Sequence, residues 1–531
     1  MKKIKKIDYF DILLIIIVFY LLRGGIYIGN FYPVDDHYII NMLNQNISFS
    51  NLFSLLTKET EIGNFGNAGQ FRPIYWLLLF IEIIIFGNNP MYYFVLRAIF
   101  LSSLVLSLYK LINLYLNRYS SFASVLLFLK MPFLGGIFNR IGFPENYAAF
   151  GLSIIIFGII GLIKNTKNLN LKDIDINKMY FLIIFGLFIN AGVKQNWSID
   201  FFTVLLTYIF ISKQINIFNK LFTFAYLFFS GLIIYSTLSF VNKTGVDFYS
   251  NEISFFKRIF TSLEFFYKGN IEIILSLLII FLLFLVNLYL DFKDKKIKVF
   301  TFLSSYLFFR FFWEIYFFSG VLNTFFEMRF PWWSNYNFPI YLSLPVSFIL
   351  LIHFIKSNNF LPVKIMENLN IFVIVVSFIV INFNHPVYKY NFFIENRNFS
   401  TSSYSSQYNK NMKELSSITE KDKTNQVIIY TNNFEDDEKY LNLDDWFKYY
   451  FIKSKIFIDF VQVQESNINL EVNRIENIKA YSILENEYFD SLVNFKSSDN
   501  CILIANEIIN DFPQEYKNCK LFYLWPNFKE P

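Results

Sequence analysis

Apolar runs of membrane-spanning length recur from residue 8 to residue 385, and they restrict the chain to helices packed in lipid. The runs fall at 8–29, 71–87, 91–116, 121–137, 144–163, 179–194, 198–212, 218–241, 271–290, 298–318, 337–356 and 368–385. They predict a polytopic α-helical membrane protein of about 12–13 transmembrane helices. Hydrophobic residues make up 54% of the 531 positions and charged residues 17%, too little charge to cover a water-soluble chain of this length. The formal charge of +5 is small and argues against a nucleic-acid partner. No internal repeat stands out, which disfavours an inverted-repeat transporter.

The placement of Lys and Arg sets the expected orientation. A basic leader, Lys2-Lys3-Ile4-Lys5-Lys6, keeps the N-terminus cytoplasmic, and the first apolar run reads as a retained anchor. Basic connections at 110–118, 164–178, 213–220, 291–298 and 356–364 are all expected in the cytoplasm. That choice sends 138–144, 194–198, 242–270, 319–336 and everything after 386 to the outside. One inconsistency stays open: if 71–87 and 91–116 both cross, Arg118 lies on the wrong side. Either one early segment only dips into the membrane, or the number of spans differs.

Residues 1–395 thus form a membrane domain with two long outer loops, 30–70 and 242–270. The stretch 37–57 is amphipathic and predicts interfacial helices in the first of them. Residues 396–424, rich in Ser, Asn and Lys, read as a linker. A small α/β domain is expected over 425–531, outside the membrane, with strands at 427–430, 455–463, 501–505 and 520–525 and helices at 436–453 and 506–516. Cys501 and Cys519, the only cysteines, sit at the starts of its last two strands. They either bridge as parallel neighbours or stay unpaired as small hydrophobes.

Polar residues cluster at the outer ends of the expected spans. Val34 is followed by the acidic pair Asp35-Asp36 and then His37, and Arg72-Pro73 opens the second span. Asn139-Arg140, Glu145-Asn146 and Lys194-Gln195-Asn196-Trp197 follow, and last come Arg329, Trp332, Trp333, Tyr336 and Pro339. Ionisable groups near hydrocarbon are costly, so several on one face point to a shared polar pocket. Carboxylates beside cations suit a reaction that moves a proton near a bound phosphate. Each position also has a plainer reading. The acidic pair suits a solvated loop, Glu145 complements a helix N-terminus, and Trp332, Trp333 and Tyr336 suit an interfacial belt.

In this order of features the chain resembles the GT-C superfamily of polytopic glycosyltransferases, especially the branch of protein O-mannosyltransferases and the lipid A aminoarabinose transferase. The matching elements are Asp35-Asp36 in the first outer loop, Arg72-Pro73-Ile74-Tyr75-Trp76, Phe86-Gly87, Arg97, Glu145, Lys194, and Arg329 leading to Tyr336 and Pro339. The soluble C-terminal domain fits as well. The sequence departs from the family pattern at Pro73-Ile74 in place of Pro-Pro, at Lys194-Gln195, and at Glu145 in place of Asp.

The resemblance implies an inverting glycosyltransferase that moves a sugar from a polyprenyl-phosphate donor to an extracytoplasmic acceptor (lipid, glycan or protein). Asp35 would be the general base, with Asp36 and Glu145 as further catalytic candidates. Arg72, Lys194 and Arg329 would neutralise the departing phosphate, and His37, Trp333 and Tyr336 would contact substrate. No cofactor is certain; a divalent cation held by Asp35 and Asp36 is the open alternative. The expected location is the cell membrane, crossed many times, with the bilayer as a third partner beside donor and acceptor. A flippase for a lipid-linked saccharide and a polysaccharide polymerase are the competing readings.

Overall fold

The computed structural model describes residues 8–33, 36–67, 70–167, 173–212, 215–244, 259–260, 262–264, 271–294, 342–357, 393–422, 426–431, 446, 449–450, 459–464, 480–482, 487–489, 501–505 and 520–524, with scattered positions in 307–315 and 368–375. Most of what it describes is helical. Four of these helices contain stretches long and apolar enough to cross a membrane: 90–112, 144–164, 217–239 and 273–290.

The first run is not one rod. Helix α1 (Tyr9–Leu21) starts where the Asp8 side chain accepts the Phe10 N–H, and α2 (Arg23–Ile28) follows a break at Leu22. The amphipathic stretch gives two eight-residue helices, α3 (His37–Asn44) and α4 (Leu52–Glu59). Helix α5 (Pro73–Phe86) has Pro73 in its first turn, where a missing N–H costs nothing, and ends at Gly87, whose φ of 55° suits glycine. Helix α6 (Pro90–Ile112) is capped by Asn89. The run expected at 121–137 divides into α7 (Arg118–Leu129) and α8 (Pro132–Phe138), because Pro132 cannot continue the preceding helix. Then come α9 (Pro144–Lys167), α10 (Asp173–Val193), a 3-10 turn (Gln195–Ile199) and α11 (Asp200–Ile211). Helices α12 (Ile217–Thr244), α13 (Ile271–Asp294) and α14 (Ser343–Ser357) complete this part.

Side-chain contacts sort the helix ends into two groups. At one end the N-terminus of α1 meets the C-terminus of α6, through Lys110–Asp11 at 2.5 Å and the Tyr109 hydroxyl donating to Asp8 at 2.9 Å. Phe10 packs on Tyr119 and Phe122 there, and Asn117 and Ser120 bond to Asn370. Asn177 meets Asn216 and Asn219. At the other end, Phe31 packs on Tyr93 and Tyr75 bonds to Gly142. Gly66 bonds to Ser236 there, and Arg23 pairs with Glu395.

Helix α1 and helix α6 are therefore antiparallel, and the chain between residues 31 and 93 leaves and returns at the same end. Both termini of α5 lie there: Trp76 touches Tyr38, and Phe86 touches Tyr93. At about 1.5 Å per residue α5 is roughly 21 Å long. The segment 71–87, expected as a span, contains this single short helix, with both of its ends among residues at that same end of the bundle.

The outer surface of α12 exposes Ile217, Phe218, Leu221, Phe224, Phe228, Tyr235 and Leu238, a helical stripe of large apolar residues. Helix α13 does the same with Leu275, Leu278, Leu282, Leu285 and Tyr289. Such surfaces suit lipid rather than water.

Of the stretch expected as a linker, 396–424, residues 396–422 belong to a thirty-residue helix, α15 (Phe393–Asp422). Its sequence is polar, yet Asn398, Thr401, Ser402, Ser405, Asn409 and Thr419 are all buried along one side. Hydrogen bonds hold many of these polar groups, alongside the buried Ile394, Tyr408, Met412 and Leu415, and the mixture is why hydropathy misses the helix. Beyond it, β1 (Gln426–Thr431), β2 (Asp459–Gln464), β3 (Ala480–Ser482), β4 (Glu487–Phe489), β5 (Cys501–Ala505) and β6 (Lys520–Tyr523) form one sheet of order β4-β3-β2-β1-β5-β6. Strands β2, β1, β5 and β6 are parallel, with Gln426 opposite both Asp459 and Cys501. The short strands β3 and β4 are antiparallel additions at one edge. Within the stretch expected as a helix at 436–453, residues 446, 449 and 450 are helical. Cys519 and the helix expected at 506–516 lie outside the described residues.

Candidate functional site

The loops that carry the expected site residues converge at the end of the bundle where Phe31 meets Tyr93. Asp36 is central to that convergence and fully buried. Its Oδ2 accepts the Tyr32 N–H at 2.7 Å and its Oδ1 accepts the Gly142 N–H at 2.7 Å. One carboxylate thus closes the turn that begins at Tyr32 and fastens it to the loop between α8 and α9. Burial pushes its pKa up to about 6, although the two N–H donors and the Arg97 charge pull the other way.

Arg97 stands beneath it on α6. Its guanidinium forks onto Glu82, Nη1 to Oε1 at 2.9 Å and Nη2 to Oε2 at 2.7 Å. It also donates to the Ile141 carbonyl and to the Tyr147 hydroxyl. The Tyr75 hydroxyl donates to the Gly142 carbonyl at 2.6 Å. The loop at 141–142 is therefore gripped on three sides, by Asp36, Arg97 and Tyr75. Arg140, just before it, stacks over Tyr32 at 4.0 Å and lies 5.3 Å from the Phe143 ring.

Arg72 precedes α5 and donates to Glu61 Oε1, from Nη2 at 2.5 Å and from Nε at 3.2 Å. The other oxygen of Glu61 accepts the Trp76 indole N–H at 2.7 Å. Each named residue of Arg72-Pro73-x-Tyr75-Trp76 thus has a local role, as cation, helix start or hydrogen-bond donor. Glu61 is the residue that sequence reasoning missed, because it lies in an irregular loop with no periodic signal. Lys194, at the end of α10, pairs with Glu145 in the first turn of α9, so two expected site residues meet directly. Nearby in the chain, Asp200 pairs with Arg310 at 3.2 Å, and the Arg310 guanidinium covers Trp197 at 4.9 Å.

His37 is the first residue of α3, buried, with its ring tilted against that of Tyr38 at a centroid distance of 3.8 Å. Asp35, Arg329, Trp333 and Tyr336, with Trp332 and Pro339, lie outside the described residues. Among the described residues no three His, Cys, Asp or Glu side chains group as metal ligands. Each Asp36 oxygen accepts one main-chain N–H, from Tyr32 and from Gly142, so the carboxylate joins the two loops. Compared in turn with protein-family models, characterised proteins and solved structures, the chain matches none.

Proposed function

We propose that this chain is a membrane-embedded inverting glycosyltransferase of GT-C type, using a polyprenyl-phosphate sugar donor outside the cytoplasmic membrane. The observation that carries the reading is the convergence of four separate loops, 31–37, 61–76, 139–147 and 192–200, at one end of the helix bundle. They bring Asp36, Arg72, Glu145 and Lys194 to the same face. A transporter would be expected to place its charged groups near the bilayer midplane.

Orientation follows from the same grouping of helix ends. Lys110, Arg118, Lys178 and Lys220 lie at or beside the opposite end, which the positive-inside rule assigns to the cytoplasm. The converging loops then face outward, and an α5 that begins and ends at that face resolves the parity conflict at Arg118.

In the proposed reaction an acceptor hydroxyl oxygen attacks the anomeric carbon. A new C–O bond forms as the bond to the phosphate oxygen breaks, and the polyprenyl phosphate leaves with the electron pair. Asp35 takes the hydroxyl proton, and Lys194, oriented by Glu145, stabilises the negative charge on the leaving group. Arg72 is held by Glu61 on the same rim. Asp36, which accepts the Tyr32 and Gly142 N–H groups, organises the loops around the site.

The test is sugar transfer from a synthetic polyprenyl-phosphate sugar by purified enzyme. Asp35→Asn and Asp35→Ala are each expected to lose about 10²–10⁴-fold in kcat. Transfer at the wild-type rate by both variants would remove Asp35 from the base role.

A further inference from the structure

The main chain just before Asp35 is tied down by groups from the far end of the sequence. Trp446, 1% exposed, donates its indole N–H to the Pro33 carbonyl at 3.0 Å. The Asn409 amide, buried on α15, donates to the Phe31 carbonyl at 2.9 Å. Between them, the Tyr32 N–H goes to Asp36. Three consecutive residues, 31, 32 and 33, are thus each held by a different side chain. A fourth tie lies just upstream, where the Asn30 N–H reaches the Ser405 hydroxyl at 3.2 Å.

These donors are themselves set in place. The Tyr450 hydroxyl donates to Asn409 Oδ1 at 2.5 Å, which fixes the amide so that its NH₂ faces Phe31 and the Ser405 carbonyl. Trp446 is packed edge-on by Tyr408 and stacked on Tyr450. The Ser416 hydroxyl of α15 bonds to the Tyr450 carbonyl. The base of the strut is equally close. Asn398 accepts the Gly25 N–H at 2.7 Å, and a Cβ on Gly24 would stand 2.8 Å from the Phe399 Cα, so only glycine lets α2 and α15 meet.

We propose that Asn409 and Trp446 are positioning residues for the main chain at 31–33 that leads into the acidic pair, and that α15 with Trp446 and Tyr450 belongs to the catalytic apparatus rather than to an appended domain. The role in catalysis rests on the glycosyltransferase reading; the tethering of the loop does not. A general base must sit within hydrogen-bond reach of its proton, and small displacements cost large factors in rate. A main chain whose carbonyls at 31 and 33 are both anchored enters the acidic pair from a fixed point.

The experiment uses the full chain in detergent, with Trp446→Phe, Asn409→Ala and Tyr450→Phe. Tyr450→Phe keeps the ring packing and loses only the hydroxyl that orients Asn409, so it serves if either of the others fails to fold. Hydrogen exchange is read on peptides covering 29–40, and sugar transfer from a polyprenyl-phosphate donor is measured alongside. Exchange in 29–40 is expected to quicken at least tenfold while peptides of α6 and α9 stay unchanged, with kcat down at least tenfold and donor KM unaltered. Unchanged exchange would overturn the tether, and faster exchange with wild-type kcat would overturn the positioning role. If wild-type enzyme transfers no sugar from such donors, the enzymatic reading and the catalytic role of these residues both fall, while exchange still decides whether they hold the loop.

Discussion

Asp36 shows how an acidic pair divides its labour. A carboxylate that accepts main-chain N–H groups from two loops organises both, and cannot release either without leaving a buried donor unsatisfied. Asp36→Asn keeps one acceptor and sets an NH₂ against the other N–H. The pH dependence has a definite sign. A pKa raised by burial means that the stability associated with the neutral form is complete below about pH 4 and lost as pH rises through about 6. Thermal unfolding in detergent between pH 4 and 7 is expected to show wild type losing about 3 kcal/mol relative to Asp36→Asn over that window. A constant difference between the two would count against ionisation of Asp36 in the fold.

The Lys194–Glu145 pair poses a different question at this scale, since either residue could exist only for the other. If the pair were structural, removing both members would cost less than removing one. Lys194→Ala is expected to lower kcat about 10²–10³-fold. The double variant Lys194→Ala/Glu145→Ala is expected to recover thermal stability but not transfer. Recovery of transfer would assign Lys194 to structure alone.

Among elements, what could be read in advance depended on where the stabilising energy lies. The long helices α6, α9, α12 and α13 were legible because uninterrupted apolar side chains specify burial or lipid contact. The break between α7 and α8 was legible only in Pro132, a single residue inside an apolar run. Helix α15 was hidden for the opposite reason. Its buried side interleaves Ile394, Tyr408, Met412 and Leu415 with Asn, Ser and Thr, residues that sequence reading assigns to solvent until their partners at 25, 30, 31 and 138 are in place. In the candidate site, Arg72, Glu145 and Lys194 were legible as charges at the ends of apolar runs. Glu61, Glu82 and Tyr75 acquire meaning only through the contacts they make, and no spacing along the chain announces those.

Across the whole molecule the topology is the property most open to direct measurement. Asn88 sits exposed between α5 and α6, and Lys178 is exposed near the start of α10. In a background with Cys501 and Cys519 replaced by Ser, Asn88→Cys is expected to react with a membrane-impermeant maleimide added to intact cells. Lys178→Cys is expected to react only after permeabilisation. Labelling of both from outside, or of neither, would contradict the proposed sidedness.

The fourteen residues of α5 also bear on how the protein is made. A nascent segment this apolar will tend to leave the translocation channel sideways and stay in the bilayer, yet its length of about 21 Å falls short of the roughly 30 Å hydrocarbon thickness. With the proposed sidedness, the shortfall would let it pass through to the far side with the loop that contains it. Every later helix would inherit its direction from that passage, so six further leucines in α5 are expected to turn a translocated segment into a stop and set the rest of the chain against its own distribution of lysines.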